Sequence, residues 1–233
     1  MFFPFKDDNP STKYPYVTAG IIIVNVIIYL ASISGGAYNF KLIVLNYGLI
    51  PTELLHMKNL YISPDVNPFI TIFTSMFLHA NLAHLIGNMW YLWIFGDNVE
   101  DFLGHFNFFI FYIAGGVASG LIHSIFNPSS TMPVIGASGA VSAVLGAYML
   151  LYPAARVYVL FFFIFIFRIF TMPAAVLIGF WIFFQILNGL TSLGVGQQVG
   201  GVAWFAHIGG FFYGLYFIKF VVKSRMRYNR LKF

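Results

Sequence analysis

Long apolar runs separated by short polar breaks set the plan of this chain. The first run, Tyr16–Ser34, has nineteen residues, close to the roughly 20 that a helix needs to cross the bilayer hydrocarbon. Ser32, Ser34, Gly35 and Gly36 end it. Residues 35–67 are mixed. Leu42, Ile43, Val44 and Leu45 are apolar, but Lys41, Asn46, Glu53, His56, Lys58 and Asp65 interrupt them. This predicts a partly embedded interfacial segment with short helices. A second span is expected over Leu78–Phe95, carrying His79, Asn81, His84 and Asn88 at one end and closed by Asp97, Asn98, Glu100 and Asp101. The third covers His105–Phe126, with Gly115, Gly116 and Gly120 inside it, and the polar stretch 127–135 follows. The fourth is short, Ser138–Tyr152, and Pro153 stops it. Residues 154–172 are rich in Phe, Ile and Val yet split by Arg156 and Arg168, which reads as an embedded loop or strand-like segment. A fifth span over Pro173–Leu187, a Gly/Gln loop over Gly189–Gly201 and a sixth span over Val202–Val222 complete the pattern.

The expected fold is therefore an all-α bundle of six transmembrane helices with an embedded segment after the first. Residues 1–15 form an N-terminal tail, 16–222 the membrane domain and 223–233 a basic C-terminal tail. Composition agrees. The chain is 60% hydrophobic and 8% charged, with a mean hydropathy of +0.84, whereas soluble domains carry about 25% charged residues. A membrane β-barrel would alternate over segments of about ten residues, and these runs do not. Of the twelve Lys and Arg, six (Lys219, Lys223, Arg225, Arg227, Arg230 and Lys232) lie at or after the end of the last span. A basic tail beside a membrane helix marks a cytoplasmic end facing anionic lipid. It carries no folded basic face for nucleic acid. There is no cysteine, which excludes disulfides, thiolate metal sites and cysteine nucleophiles. The N-terminus lacks the charged-then-apolar order of a cleaved signal peptide, so the first span is expected to serve as the insertion signal.

Six spans return both termini to the cytoplasmic side, and the polar residues can then be counted by depth. Spans 2, 4 and 6 all begin at the outer face. His79, His84 and Asn88, then Ser138, then His207 fall in the outer half of the membrane, on three separate helices. Ser138, Ser142 and Gly146 are four apart and share a helix face. His207, Gly210 and Gly214 share another. Small-residue faces let helices approach closely, which would bring Ser138 to His207. A hydroxyl needs a neighbouring base to become a nucleophile, and histidine is the usual one. His84 and Asn88 can donate hydrogen bonds to a developing oxyanion, as can the unpaired N–H groups at the start of span 4. The seven acids are Asp7, Asp8, Glu53, Asp65, Asp97, Glu100 and Asp101, and only Glu53 and Asp65 lie on the outer side. The reading is a Ser–His dyad with His207 oriented by packing; a Glu53 or Asp65 carboxylate on His207 would overturn it.

Simpler roles exist for each residue. Ser138 alone reads as a packing residue. His84 and Asn88 alone read as bridges between helices. His79, His84 and His207 together offer metal-binding nitrogens, but without a carboxylate or thiol and without the HExxH signature. His56, His105 and His123 read as interfacial. The run Phe161–Phe170 and Phe180, Trp181, Phe183 and Phe184 read as lipid-facing bulk.

The three motifs His79-x4-His84-x3-Asn88, Gly136-x-Ser138-Gly139 and His207-x2-Gly210-x3-Gly214, in that order and with Glu100-x3-Gly104 after span 2, resemble the rhomboid intramembrane serine proteases. The resemblance covers most of the chain. It implies Ser138 as nucleophile and His207 as general base. The oxyanion hole would be His84, Asn88 and the Ser138 N–H, with His79 structural beside them. It implies cleavage of transmembrane segments of other membrane proteins near the outer face, without metal or cofactor, and span 5 as a lateral gate. One departure is Ser142, where some bacterial relatives carry a tyrosine stacked on the catalytic histidine. The alternative is a catalytically inactive rhomboid-like protein that binds other membrane proteins. The expected location is a prokaryotic cell (inner) membrane, with lipid and membrane-protein substrates as partners. The sequence sets neither the substrate nor the oligomeric state.

Overall fold

The computed structural model describes residues 2–57, 66–163, 166–195 and 201–230. Asp65, Lys58, the centre of the 189–201 loop and Lys232 lie outside these. Nine helices are described: α1 (Tyr16–Ser34), α2 (Gly36–Tyr47), α3 (Pro51–His56), α4 (Pro68–Thr74), α5 (Leu82–Leu103), α6 (His105–Phe126), α7 (Ser138–Leu151), α8 (Ala174–Val195) and α9 (Trp204–Arg230). Among the described residues four helices, α1, α6, α8 and α9, are long and apolar enough to cross a membrane; α4 and α5, bent by 82° at a break, supply a fifth crossing if taken as one span. The fold is that of an integral, multi-pass helical membrane protein.

α7 is the centre of the bundle. It is apolar and 14 residues long, and every residue from Gly139 to Tyr148 is buried. A helix buried on all sides has no polar face to keep, and its sequence has none. It packs most extensively on α9 and also on α5, α6 and α8. Small residues set the distance: a Cβ on Gly210 would sit 2.0 Å from the Gly139 carbonyl oxygen, and one on Gly214 would sit 1.9 Å from that of Ala143. From the other side, a Cβ on Gly146 would meet the Phe211 carbonyl oxygen at 2.1 Å. The two backbones touch, as the spacing of small residues predicted.

The embedded segment after α1 forms α2 and α3 and folds against the loop before α7. Leu49 pairs with Val134 as an isolated β-bridge, and Thr52 N–H donates to the Ser130 carbonyl at 3.1 Å.

The expected second span differs in two ways. Its start, Leu78–Asn81, is a break rather than helix, because Asn81 caps α5 by accepting from the His84 N–H at 2.8 Å. Its end runs through the acids to Leu103. Glu100 is buried; its two oxygens accept the Val17 and Thr18 N–H groups at 2.9 and 2.8 Å, the first turn of α1. A carboxylate at a helix N-terminus satisfies donors that the helix leaves unpaired and opposes its dipole. Glu100 also pairs with His105 at 2.5 Å. Gly104, at φ +83°, then turns the chain into α6.

The expectation of an all-α fold is corrected. A three-stranded antiparallel sheet, in the order β1 (Phe2–Asp7), β2 (Arg156–Phe163), β3 (Ile166–Pro173), lies at the end of the bundle remote from Ser138. The strand-like reading of 154–172 corresponds to the hairpin β2–β3. Its β-branched and aromatic residues favour strand, and Val157 and Val159 alternate inward and are fully buried. The N-terminal residues expected as a tail instead supply β1, paired with β2 from Phe2↔Phe161 to Asp7↔Val157 with an irregularity at Pro4/Lys6. Proline suits this position because β1 is an edge strand. The Trp90 indole N–H of α5 donates to the Pro4 carbonyl at 2.7 Å, and Phe3 packs on the same ring. At the C-terminus, residues 223–230 continue α9.

Candidate active site

α7 begins at Ser138, and α9 presents His207 in its first turn. The Ser138 Oγ lies 2.8 Å from His207 Nε2. The contact follows from the close α7–α9 packing: with Gly210 pressed on the Gly139 carbonyl, the residue one turn before Gly210 reaches the residue before Gly139.

Around this pair the loop before α7 is held open by glycine. Gly136 has φ +128°, which an L-residue rarely adopts, and its N–H donates to the Ser75 carbonyl at 2.9 Å. A Cβ there would collide with the His84 ring at 2.6 Å and would lie 3.7 Å from Asn88 Nδ2. His84 and Asn88, one turn apart on α5, therefore converge on the segment that leads to Ser138. Asn88 is buried and its Nδ2 has no hydrogen-bond partner among the described residues. A buried donor left unpaired costs stability, and such a donor at the edge of a site is one that a substrate oxygen can use. His79 is fully buried; its Nε2 accepts the Ala137 N–H at 3.5 Å, and its ring meets that of His84 edge-on at 5.2 Å. It braces the loop and the His84 ring.

Gly139 packs on Ser119 of α6, where a Cβ would lie 1.9 Å from the hydroxyl oxygen. Beside it, Ser75, Ser119, Gly136, Ser138 and Ala206 contribute to the wall of a small cavity of about 20 Å³. About 10–15 Å³ by this measure holds one water, and several polar groups are there to bind it. Ser142, one turn into α7, donates its hydroxyl to the Ser138 carbonyl at 2.6 Å.

Residues 67–224 match the rhomboid domain. The chain belongs to the rhomboid family. Among curated relatives it is similar to Rhomboid protein 1, mitochondrial, of Saccharomyces cerevisiae, with 34% identity over 68% of this chain and 44% of the relative. It also resembles Presenilin-associated rhomboid-like protein A, mitochondrial, of Danio rerio, with 28% identity over 62% and 35%. A third relative is Rhomboid protease GluP of Bacillus subtilis, with 28% identity over 62% and 25%. This rhomboid thus spans less than half the length of each. The expectation of a prokaryotic inner membrane gains no support from relatives that include mitochondrial proteins.

The structure brings together all five polar residues singled out in the sequence, His79, His84, Asn88, Ser138 and His207, with Gly136, Gly139, Gly210 and Gly214 as the packing residues between them. It also adds two that were missed. Gln185 of α8 places its Oε1 2.7 Å from His207 Nδ1. Trp181, one turn earlier on α8, lies 5.9 Å from the His207 ring, centroid to centroid, at 36°. Trp181 is therefore not lipid-facing bulk, unlike Phe180, Phe183 and Phe184, which are exposed. The i, i+4 spacing of Trp181 and Gln185 was the available signal: a tryptophan and an amide on one stripe of an otherwise apolar helix. With Gln185 and Ser138 on its two nitrogens, His207 has no carboxylate partner among the described residues. Glu53 lies on α3, and Asp65 lies outside the described residues. His123, expected at the interface, is buried within the bundle. The start of α9 covers that end of α6, where Phe126 and Phe205 stack at 4.5 Å.

Proposed function

We propose that this rhomboid is a serine endopeptidase that cleaves transmembrane segments of other membrane proteins. The observation that carries the reading is the 2.8 Å contact between Ser138 Oγ and His207 Nε2, beside the unpaired donor of Asn88. A relative named as a rhomboid protease supports it.

In this reading the Ser138 oxygen attacks the scissile carbonyl carbon while its proton passes to His207 Nε2. The carbonyl oxygen becomes an oxyanion, and the donors facing it are the Ser138 N–H, Asn88 Nδ2 and the His84 ring. The C–N bond breaks as His207 returns the proton to the leaving nitrogen, which leaves an ester on Ser138. A water then attacks the ester carbon as His207 takes its proton, and the C–O bond to Ser138 breaks as His207 passes that proton to the Ser138 oxygen, which releases the acid product. The small cavity beside Ser138 is a place to hold such a water.

We read the bent α4–α5 pair and the short α7 as crossings beside the four long helices, which gives six spans with both termini on one side. The 14 residues of α7 rise about 21 Å, against about 30 Å of hydrocarbon. Taking the far end of α7, tied to β1, at the inner boundary, we place Ser138 below the outer boundary by the difference, about 9 Å. Cleavage inside the bilayer follows from that length. α8 is the proposed entry side. Its Val176, Gly179, Phe180 and Phe183 line an open apolar groove, and it is sparsely covered compared with α6.

Labelling of the purified protein by a fluorophosphonate, together with cleavage of a transmembrane reporter, tests the proposal. Both signals should be present in the wild type and lost in Ser138→Ala. Labelling that survives Ser138→Ala ends the reading.

A further inference from the structure

We infer that Gln185 is a third, neutral member of the Ser138–His207 arrangement: a positioning residue that fixes the tautomer and the ring plane of His207 from α8. The inference rests on the reading of His207 as a base.

A neutral imidazole carries one proton, and which nitrogen holds it is set by the hydrogen bond that the other makes. His207 can take a proton from Ser138 only if Nε2 presents a lone pair, so the ring proton must be on Nδ1. The Gln185 Oε1, 2.7 Å from Nδ1, is an acceptor and so demands a proton there. The opposite tautomer would set two lone pairs against each other at Nδ1 and turn Nε2 into a donor toward Ser138, which would disable the base. Gln185 is buried and lies mid-way along α8, where an ionised carboxylate would be costly. An amide supplies the same acceptor without the charge. Trp181 on the same stripe of α8 packs against the ring, and Trp204, in the turn before His207, meets it edge-on at 6.4 Å. The imidazole is thus held in plane by rings and in tautomer by an amide.

The groups that face His207 make this acceptor important. The titratable neighbours whose charge acts on it are His84 from α5 and His123 from α6, both bases. α7 offers the Ser138 hydroxyl, and α8 offers Gln185. The protonated ring formed during reaction therefore has the Gln185 oxygen as its nearby stabiliser. Because that oxygen rides on α8, displacement of α8 would free the ring.

The test uses the full chain in proteoliposomes, with a transmembrane reporter assayed across pH, and ¹⁵N-histidine NMR in detergent. In Gln185→Met the turnover number should fall about 10- to 100-fold with KM within about twofold, and the His207 spectrum should shift from the Nδ1–H tautomer toward a mixture. Gln185→Glu should recover turnover relative to Gln185→Met, because a carboxyl oxygen again accepts from Nδ1, and where that carboxyl ionises the acid limb of the kcat/KM profile should move up, since a carboxylate favours the imidazolium. A merely structural glutamine would not move that limb. Full turnover with an unchanged profile in Gln185→Met, or a Gln185→Glu no more active than Gln185→Met, overturns the inference. A wild type whose activity equals that of Ser138→Ala overturns the protease reading instead. The tautomer measurement judges the Gln185–His207 bond in either case: an Nε2–H tautomer in the wild type sinks it.

Discussion

The two ends of α7 hold the same kind of object and use it for opposite purposes. At one end the Ser138 hydroxyl meets a titratable partner, His207, delivered by α9. At the other the Tyr148 hydroxyl meets a titratable partner, Asp7, delivered by β1. Both partners come from far away in sequence. The difference is the sign of the partner. On the proposed reading His207 is a base with a free pair toward Ser138, so the pair can move a proton. Asp7 is an acid whose oxygen accepts from Tyr148, so the pair is arranged to keep one. The surroundings follow the same division. Histidines, His84 and His123, neighbour the Ser138–His207 pair, while Asp7, Asp8, Asp97 and Asp101 act on the hydroxyls of Tyr148 and Tyr152. On that reading one end serves chemistry, while the other fastens the sheet to the bundle.

The largest effect should come from deleting the base. His207→Ala is expected to lower cleavage of a transmembrane reporter by more than about 1,000-fold, with the melting temperature in detergent little changed. If His207→Ala kept substantial turnover, the two ends of α7 would not differ in kind, and Ser138–His207 would be another fastening.

Close packing between α7 and α9 should rank next. Gly210→Ala puts a methyl 2.0 Å from the Gly139 carbonyl oxygen; overpacking of this sort costs about 1–3 kcal/mol. Because the displaced backbone adjoins Ser138, activity should fall with stability. Gly179→Ala on α8 is the control. A Cβ there meets nothing within 4 Å, and a change within about 0.5 kcal/mol is expected. Equal losses at both positions would show that glycine content, rather than this contact, matters.

The same contrast between ends shows why the sequence was readable in one region and opaque in the other. Ser138, His207, His84 and Asn88 stood out because polar groups are costly in a membrane and their helical spacings put them on shared faces. Helix period and span length then led to the expectation that they meet at one depth. β1 left no such trace. Phe2–Asp7 has the look of a tail, and its partner Val157–Phe161 lies some 150 residues away, so its pairing is a tertiary event with no local signal. Glu100 misled in a related way. A buried acid reads as the end of a span until its partners, the first N–H groups of α1, are in view. Gln185 went unnoticed because a single amide among Phe, Trp and Ile looks like an accident; only the ring opposite gives it meaning.

Tyr148→Phe should leave activity within a few-fold of wild type while lowering stability by about 1 kcal/mol, the scale of side-chain hydrogen bonds measured inside membranes. Limited proteolysis of the N-terminal residues should rise in parallel as β1 loosens. If activity collapsed instead, the far end of α7 would be coupled to Ser138, and the division of labour along the helix would fail.

The smallest effect concerns Asp7 and depends on pH. Burial raises the Asp7 carboxyl above its ordinary value of 3.8, and this outweighs the opposing hydrogen bond from Tyr148. A carboxyl with a raised value binds its proton more tightly in the folded protein than in the unfolded chain. Its contribution to stability is therefore complete below the unfolded value and is lost as pH rises through the folded one. Above its folded value the protein carries a half-buried carboxylate at some cost, offset in part by the Tyr148 hydrogen bond. Asp7→Asn keeps an oxygen for Tyr148 and removes the charge. It should equal wild type or melt slightly above it at pH 7, the two curves converging as the pH is lowered toward 4. The opposite trend, with Asp7→Asn losing ground steadily as pH rises, would mean that the ionised carboxylate is the stabilising form. Asp7 would then be held by charge rather than by a retained proton, and the contrast with Ser138–His207 would have to be drawn in those terms.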